Sequence, residues 1–277
     1  KYPSIRQLAG QLQLAPQTHI DQAQIDRGPV SGAMPLLPIQ RAFFEQREQM
    51  AHHNQTLLLK APKALSLAQL EQIFAAILQR HDALRLRFIP DAQDAYGAEF
   101  MPFQPQQIGE LVSAQSCRAD FSDLTERANQ VQRNMALEQG RLLQVVLFDN
   151  GADHATLESS NSGSEKRLLI AIHHLVVDGV SWRVLLDDLS SAWQQLQQQQ
   201  AIQLAAKGSS YQAWGQALAD FAHSPQLLNE VAYWQQVQSA AVDDLPVQAQ
   251  AVADESERLG RLDIVLDAGP SQALLQE

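Results

Sequence analysis

The sequence predicts an α+β fold: a mixed β-sheet flanked by helices. Three patterns carry that prediction. Short runs alternate apolar residues at period two, as at Leu84, Leu86 and Phe88, which marks strands with one buried face. Longer stretches repeat apolar residues at helical spacing, as at Leu67, Leu70, Phe74, Ile77 and Leu78. The two kinds follow one another without the regular strand–helix–strand rhythm of a doubly wound parallel sheet.

Taken in order, Ile5, Leu8 and Leu12 give a short amphipathic helix, and residues 15–34, mostly polar with Pro16, Gly28, Pro29 and Gly32, read as a linker. Pro38 suits the first turn of a helix whose face is Ile39, Ala42, Phe43 and Gln46. His52 and His53 sit beside a polar turn before the strand of Thr56 to Leu59 and are expected at the surface. Residues 66–81 form a helix opened by a capping box of Ser66 and Gln69. It runs into the Leu84–Leu86–Phe88 strand, which puts Arg85 and Arg87 on the opposite face.

A helix is expected over residues 123–139. The strand after it, residues 141–149, is apolar on both faces and therefore central. Residues 149–166 are a polar loop. Residues 194–200, almost all glutamine, form a surface exit from a helix. Tyr211, Trp214, Leu218 and Phe221 make another helical stripe, and Ser224–Pro225 starts a helix faced by Leu227, Leu228, Val231 and Trp234. Residues 239–257 are an acidic bridge. Leu262, Ile264 and Leu266 alternate as a strand, and Pro270 opens a last helix.

Composition narrows the function classes. Of 277 residues 45% are hydrophobic, enough for a sizeable core. A net charge of −11 argues against nucleic acid and anionic membrane surfaces as partners. No apolar run approaches bilayer-spanning length, and no secretory leader is expected. Cys117 is the single cysteine, so a reducing, cytoplasmic setting is expected.

The chemistry concentrates in residues 168–182. An apolar run from Leu168 to Ile172 reaches His173 and His174; Asp178 and Gly179 make a turn; Trp182, Leu185, Leu186, Leu189, Trp193 and Leu196 recur at helical spacing, with Ser181 placed to cap the first turn. Adjacent strand residues point to opposite faces, so only one histidine enters a given cavity. An imidazole beside a helix start is suited to moving protons near neutral pH. The same divergence of adjacent strand residues argues against a metal held by the pair.

His173-His174-x3-Asp178-Gly179 resembles the HHxxxDG motif of the condensation superfamily of nonribosomal peptide synthetases. Peptide-bond-forming members usually carry Trp directly after the Gly. Here Val180-Ser181-Trp182 follows, which is similar to the epimerization branch. Pro38-Ile39-Gln40 with Phe43 resembles its PIQxWF string, Ala42 standing in the Trp position. His53-Asn54-Gln55 is similar to an (H)xNQ stretch before the family's first strand. Residues 80–88 resemble RHExLRTxF, with Asp82 for Glu and Leu86 for Thr. Tyr2-Pro3-Ser4-Ile5 with Leu8-Ala9 resembles the last helix of a peptidyl carrier domain.

The resemblance implies a chloramphenicol-acetyltransferase-like lobe, one half of a V-shaped pseudodimer. Residues 1–14 would be the end of a carrier domain, 15–34 a linker, and 35–277 the first lobe with the start of the second. It implies His174 as the tunnel-facing acid/base, His173 as structural, and Asp178 as holder of the turn with Gly179, Ser181 and Trp182. Arg85 would pair with Asp178. The substrate would be an L-aminoacyl or peptidyl thioester on the phosphopantetheine arm of the upstream carrier domain, with a second-lobe glutamate opposite His174. No metal or directly bound cofactor is implied. Two other readings stand beside epimerization: a condensation domain joining two carrier-bound substrates, and an inactive carrier-docking scaffold.

Overall fold

The computed structural model describes residues 28, 30–46, 52–92, 95–151, 165–239 and 265–276. The chain divides into two compact units, residues 1–228 and 229–277. No helix among the described residues is long and apolar enough to cross a membrane.

Among the described residues the first unit holds two sheets. The smaller has the order β1–β4–β3, all antiparallel: β1 is Gly32–Met34, β3 Leu86–Pro90 and β4 Tyr96–Phe100. The larger has the order β2–β7–β6–β5, with β2 Asn54–Ala61, β5 Val112–Ser116, β6 Leu143–Asp149 and β7 Lys166–His173. Only its β5–β6 pair is parallel, so the sheet is mixed, as the pattern predicted.

β6 lies inside this sheet, which explains its two apolar faces. Leu143, Val145 and Leu147 join the main core with Leu168, Ile170 and Ile172. Val146 and Phe148 pack with Leu169 and Val131 on the other side. The main core is closed by α2, Leu67–Arg80, α3, Ile108–Leu111, and α5, Gly179–Gln197; the second cluster takes in α4, Leu124–Gln132. Each buried Leu, Ile or Phe contributes roughly 1.5–3 kcal/mol. The capping box is present: Gln69 N–H donates to Ser66 Oγ, and Ser66 N–H donates to the Gln69 side chain.

Several elements differ from the sequence pattern. In α1, Pro38–Gln46, the buried positions are Gln40 and Phe44, whereas Ile39 is 74% exposed. Gln40 turns the helix inward. Its Oε1 accepts from Leu37 N–H, and its Nε2 donates to the Leu175 carbonyl (3.2 Å) and the Tyr211 hydroxyl (3.4 Å). Phe44 stacks on Tyr96. The expected helix of residues 123–139 stops at Gln132, because Ala136 pairs with Arg141 and the Leu137 carbonyl accepts from Phe88 N–H. Gly140 serves that turn at φ +69, where an added Cβ would collide with Met101 Sδ.

Leu84 and Arg85 lie in a 3₁₀ turn, Asp82–Arg85, rather than in β3. In α6, Tyr211–Ala222, Gly215 is buried against Met34 and Pro35, which leaves Trp214 and Phe221 exposed. The helix from Pro225 is interrupted: α7 is Pro225–Leu228, and α8, Val231–Ser239, belongs to the second unit with α9, Ala268–Gln276. The helix expected at residues 4–12, the glycine- and serine-rich part of the 149–166 loop and most of the acidic bridge lie outside the described residues. So do Leu262 and Ile264; Leu266 is not in a strand.

Candidate active site

The site forms where β7 runs out. His173 is its last residue, paired with Asn54, and its N–H donates to the Leu142 carbonyl. Its ring is fully buried (0% exposed), edge-on to Phe43 at 5.7 Å, and its Nδ1 accepts from Leu175 N–H at 3.2 Å. His174 follows with its ring exposed and its N–H bonded to the His53 carbonyl. Strand alternation thus delivers one histidine to the core and the other to the surface.

Three hydrogen bonds define the His174 ring. Nδ1 lies 2.9 Å from the Val177 carbonyl. A carbonyl only accepts, so Nδ1 carries the proton. Nε2 lies 2.8 Å from Gln55 Nε2. The other end of that amide, Oε1, accepts from the Trp182 indole N–H at 2.7 Å. An indole only donates, so the amide oxygen must face Trp182 and the NH₂ must face His174. His174 Nε2 is therefore the nitrogen with the lone pair. The His53 ring stacks on His174, centroids 5.1 Å apart and 13° between planes. Partial burial, and then the nearby His174, hold the His53 imidazole below its ordinary value. His53 is at the surface as expected, but it is part of this site.

Asp178 begins α5. Its Oδ1 accepts from Val180 N–H (3.1 Å), Ser181 N–H (2.7 Å) and Ser181 Oγ–H (2.6 Å). The cap is therefore Asp178; Ser181 donates to it, correcting the expected assignment. The Ser181 hydroxyl and then its N–H hold the Asp178 carboxyl below the usual carboxylate range. Gly179 is the first residue of the helix, and Trp182, one turn on, is buried.

Arg85 is not in this site. Its Nη2 pairs with Asp82 Oδ1 at 2.5 Å, and its other N–H groups reach the carbonyls of Leu78 (2.9 Å), Met101 (2.7 Å) and Val30 (3.5 Å). The expected Arg85–Asp178 pair is absent because each charge is satisfied within its own turn. Arg87 pairs instead with Glu99, its cross-strand partner. Among the described residues no three His, Cys, Asp or Glu side chains gather as a metal site.

The structure thus brings together His173, His174, Asp178, Gly179, Ser181 and Trp182. The residue-level reading gave Gln55, Gln40 and His53 no place in the site. A glutamine at an inward strand position among leucines, and another on the first turn of a helix, are the signals that mark the first two. The arrangement is an exposed imidazole of fixed tautomer, able to accept a proton at Nε2.

The condensation-domain family profile matches residues 30–277. A linear gramicidin synthase polypeptide of Brevibacillus parabrevis is 38% identical over 262 residues, covering 91% of this chain and 5% of that protein. Surfactin synthase subunit 1 of Bacillus subtilis (strain 168) is 35% identical over 247 residues, covering 87% and 6%. The solved epimerization domain from the third module of tyrocidine synthetase B aligns with a TM-score of 0.67 at 32% identity, over 79% of this chain and 48% of that one. The first condensation domain of the calcium-dependent antibiotic synthetase shares the fold, with a TM-score of 0.57 at 18% identity over 75% of this chain and 48% of that one. The chain thus spans about half of these solved domains and a small fraction of the synthase polypeptides. With a mixed sheet whose inner strand β7 ends at His173, beside His174, and a family match over residues 30–277, this chain belongs to the condensation-domain family and has its chloramphenicol-acetyltransferase-like fold.

Proposed function

We propose that this chain supplies the first lobe of an epimerization domain in a nonribosomal peptide synthetase. Residues 35–277 would hold that lobe and the start of the second, after the tail of a carrier domain in residues 1–14 and a linker in 15–34. The substrate is an L-aminoacyl or peptidyl thioester on the carrier's phosphopantetheine arm. The thioester carbonyl acidifies the Cα–H. His174 Nε2 takes that proton, the electron pair passes into the enolate, and a donor on the opposite face returns a proton to Cα to give the D form. A positioned acid/base is worth roughly 10²–10⁴-fold in rate. The opposing donor belongs to the second lobe. The phosphopantetheine is the carrier's, and this lobe's own residues bring the base and hold its geometry.

The observation that carries this reading is the proton-free Nε2 of an exposed His174. The Val180-Ser181-Trp182 order and the 32% identity to a solved epimerization domain add to it. An inert scaffold would call for both histidines to be buried, and His174 is exposed. Peptide-bond formation between two carriers is the second reading, favoured by the condensation-domain profile match.

The test is deuterium wash-in at Cα of a loaded L-aminoacyl carrier, read by mass spectrometry with chiral analysis and an assay for amide formation. In the two-lobe domain His174→Ala abolishes wash-in and inversion, while His173→Ala mainly lowers stability. Residues 1–277 alone give no inversion. Inversion by this lobe alone would overturn the two-lobe mechanism, and amide formation without wash-in would favour condensation.

A further inference from the structure

We infer that Gln55 is the positioning residue of the His174 site: held by the Trp182 indole, its amide fixes His174 in the tautomer whose Nε2 accepts protons. Four groups form one directional chain. The Trp182 indole N–H donates to Gln55 Oε1 at 2.7 Å. Gln55 Nε2 donates to His174 Nε2 at 2.8 Å. His174 Nδ1–H donates to the Val177 carbonyl at 2.9 Å. Both ends are incapable of reversal, since an indole nitrogen never accepts and a carbonyl oxygen never donates. Reversing the amide would set its NH₂ against the indole N–H. Protonating Nε2 would set an N–H against the amide NH₂. Every middle group is therefore fixed by the two ends.

The elements supply this chain for separate reasons. β2 brings Gln55 beside the end of β7, with Asn54 paired to His173 and the His53 carbonyl bonded to His174 N–H. The Asp178 cap starts α5 at a defined residue, which sets Trp182 one turn in and aims its indole at β2. This assigns a physical task to the Trp at that position. It also means that at rest the accepting nitrogen is occupied: a substrate Cα–H reaches Nε2 by displacing one amide N–H, while the amide oxygen stays on Trp182. The inference deepens the proposed function, and only its kinetic part rests on that reading.

The experiment uses the full chain labelled with ¹⁵N-histidine. Of its eight histidines, His174 is identified by the resonance lost in His174→Gln. At pH 7 and without substrate, the expected spectrum has a protonated Nδ1 and an unprotonated Nε2. In Gln55→Glu an oxygen replaces the NH₂, so both ring nitrogens face acceptors and Nε2 gains a proton as well. In Trp182→Phe the amide oxygen loses its donor and can turn to Nε2, while the Val177 carbonyl keeps Nδ1 protonated, so the expected change is partial protonation of Nε2. A wild-type ring protonated at Nε2 alone overturns the inference without recourse to any variant, as does a folded Gln55→Glu chain with Nε2 still bare. In the two-lobe domain Gln55→Glu is expected to lower Cα wash-in at pH 7 by about 10²–10⁴-fold, the worth of a positioned base. A doubly protonated ring with undiminished wash-in would uphold the Gln55 chain and instead remove His174 as the proton acceptor.

Discussion

The turn around His174 and the junction around Asp82 both gather histidine, carboxylate and hydrogen-bond donors, yet only the first leaves a nitrogen lone pair at the surface. At the junction Asp82 and Arg85 are buried, and Lys207 Nζ completes the set 2.6 Å from Asp82 Oδ2. Beside them Arg80 and His81 share Asp188 Oδ2, with His81 at 2.6 Å, and Arg80 also donates to the Ala205 carbonyl. Arg80, Arg85 and Lys207 border a groove of about 750 Å³ lined by Val30, Phe103 and Leu204 among others, but each already has its carboxylate.

At the His174 turn the order is reversed. One carboxylate, Asp178, is consumed by three donors of α5, and the imidazole is held by neutral groups. Buried, fully paired charge ties segments together. An exposed ring whose Nε2 is held only by a displaceable amide is free to exchange a proton. Placing Arg85 opposite Asp178 would merge the two centres; the structure keeps them separate.

The largest effect separating them belongs to Arg85. Arg85→Ala leaves buried Asp82 with Lys207 alone and is expected to destabilise the chain by about 3–5 kcal/mol in chemical denaturation. The His174 tautomer stays unchanged. A double-mutant cycle with Asp178→Asn should couple by less than roughly 0.5 kcal/mol, as unconnected sites do. A coupling above about 1 kcal/mol would join the two centres after all.

The next effect is a pH dependence of the junction. Burial, and then the Arg80 charge, push the His81 imidazole down to about 4, with Asp82 pulling the other way. The unfolded chain, with an ordinary histidine near 6.5, then binds more protons between about pH 6.5 and pH 4. Stability is full above that window and falls by about 3 kcal/mol as pH drops through it. Thermal melts across pH 7 to 4 should show this slope, and His81→Gln should flatten it. An unchanged slope in that variant would place the acid sensitivity elsewhere.

The smallest effect lies at the turn. Asp178→Ala removes an N-cap and should cost about 0.5–2 kcal/mol. Because the Asp178 carboxyl is held low, the cap persists through the ordinary carboxylate range and is lost only as pH falls through its lowered value. A loss well above 2 kcal/mol in denaturation would mean that Asp178 holds more than its own helix.

Local pattern alone determined much of this protein. The capping box at Ser66, the two-faced strand β6, the helix after Asp178 and the divergence of His173 from His174 all follow from side-chain spacing within one element, and the structure has each of them. Tertiary structure decided what depends on a partner far along the chain. Gln40 meets Leu175 across 135 residues and turns α1. Gln55 meets Trp182 across 127 and orders the His174 ring. The fold also decided between a near and a distant partner: Arg85 takes Asp82, three residues away, over Asp178. Spacing reports which face a side chain takes. Hydrogen-bond direction and ion pairing are settled only when folding brings donors and acceptors within about 3 Å of one another.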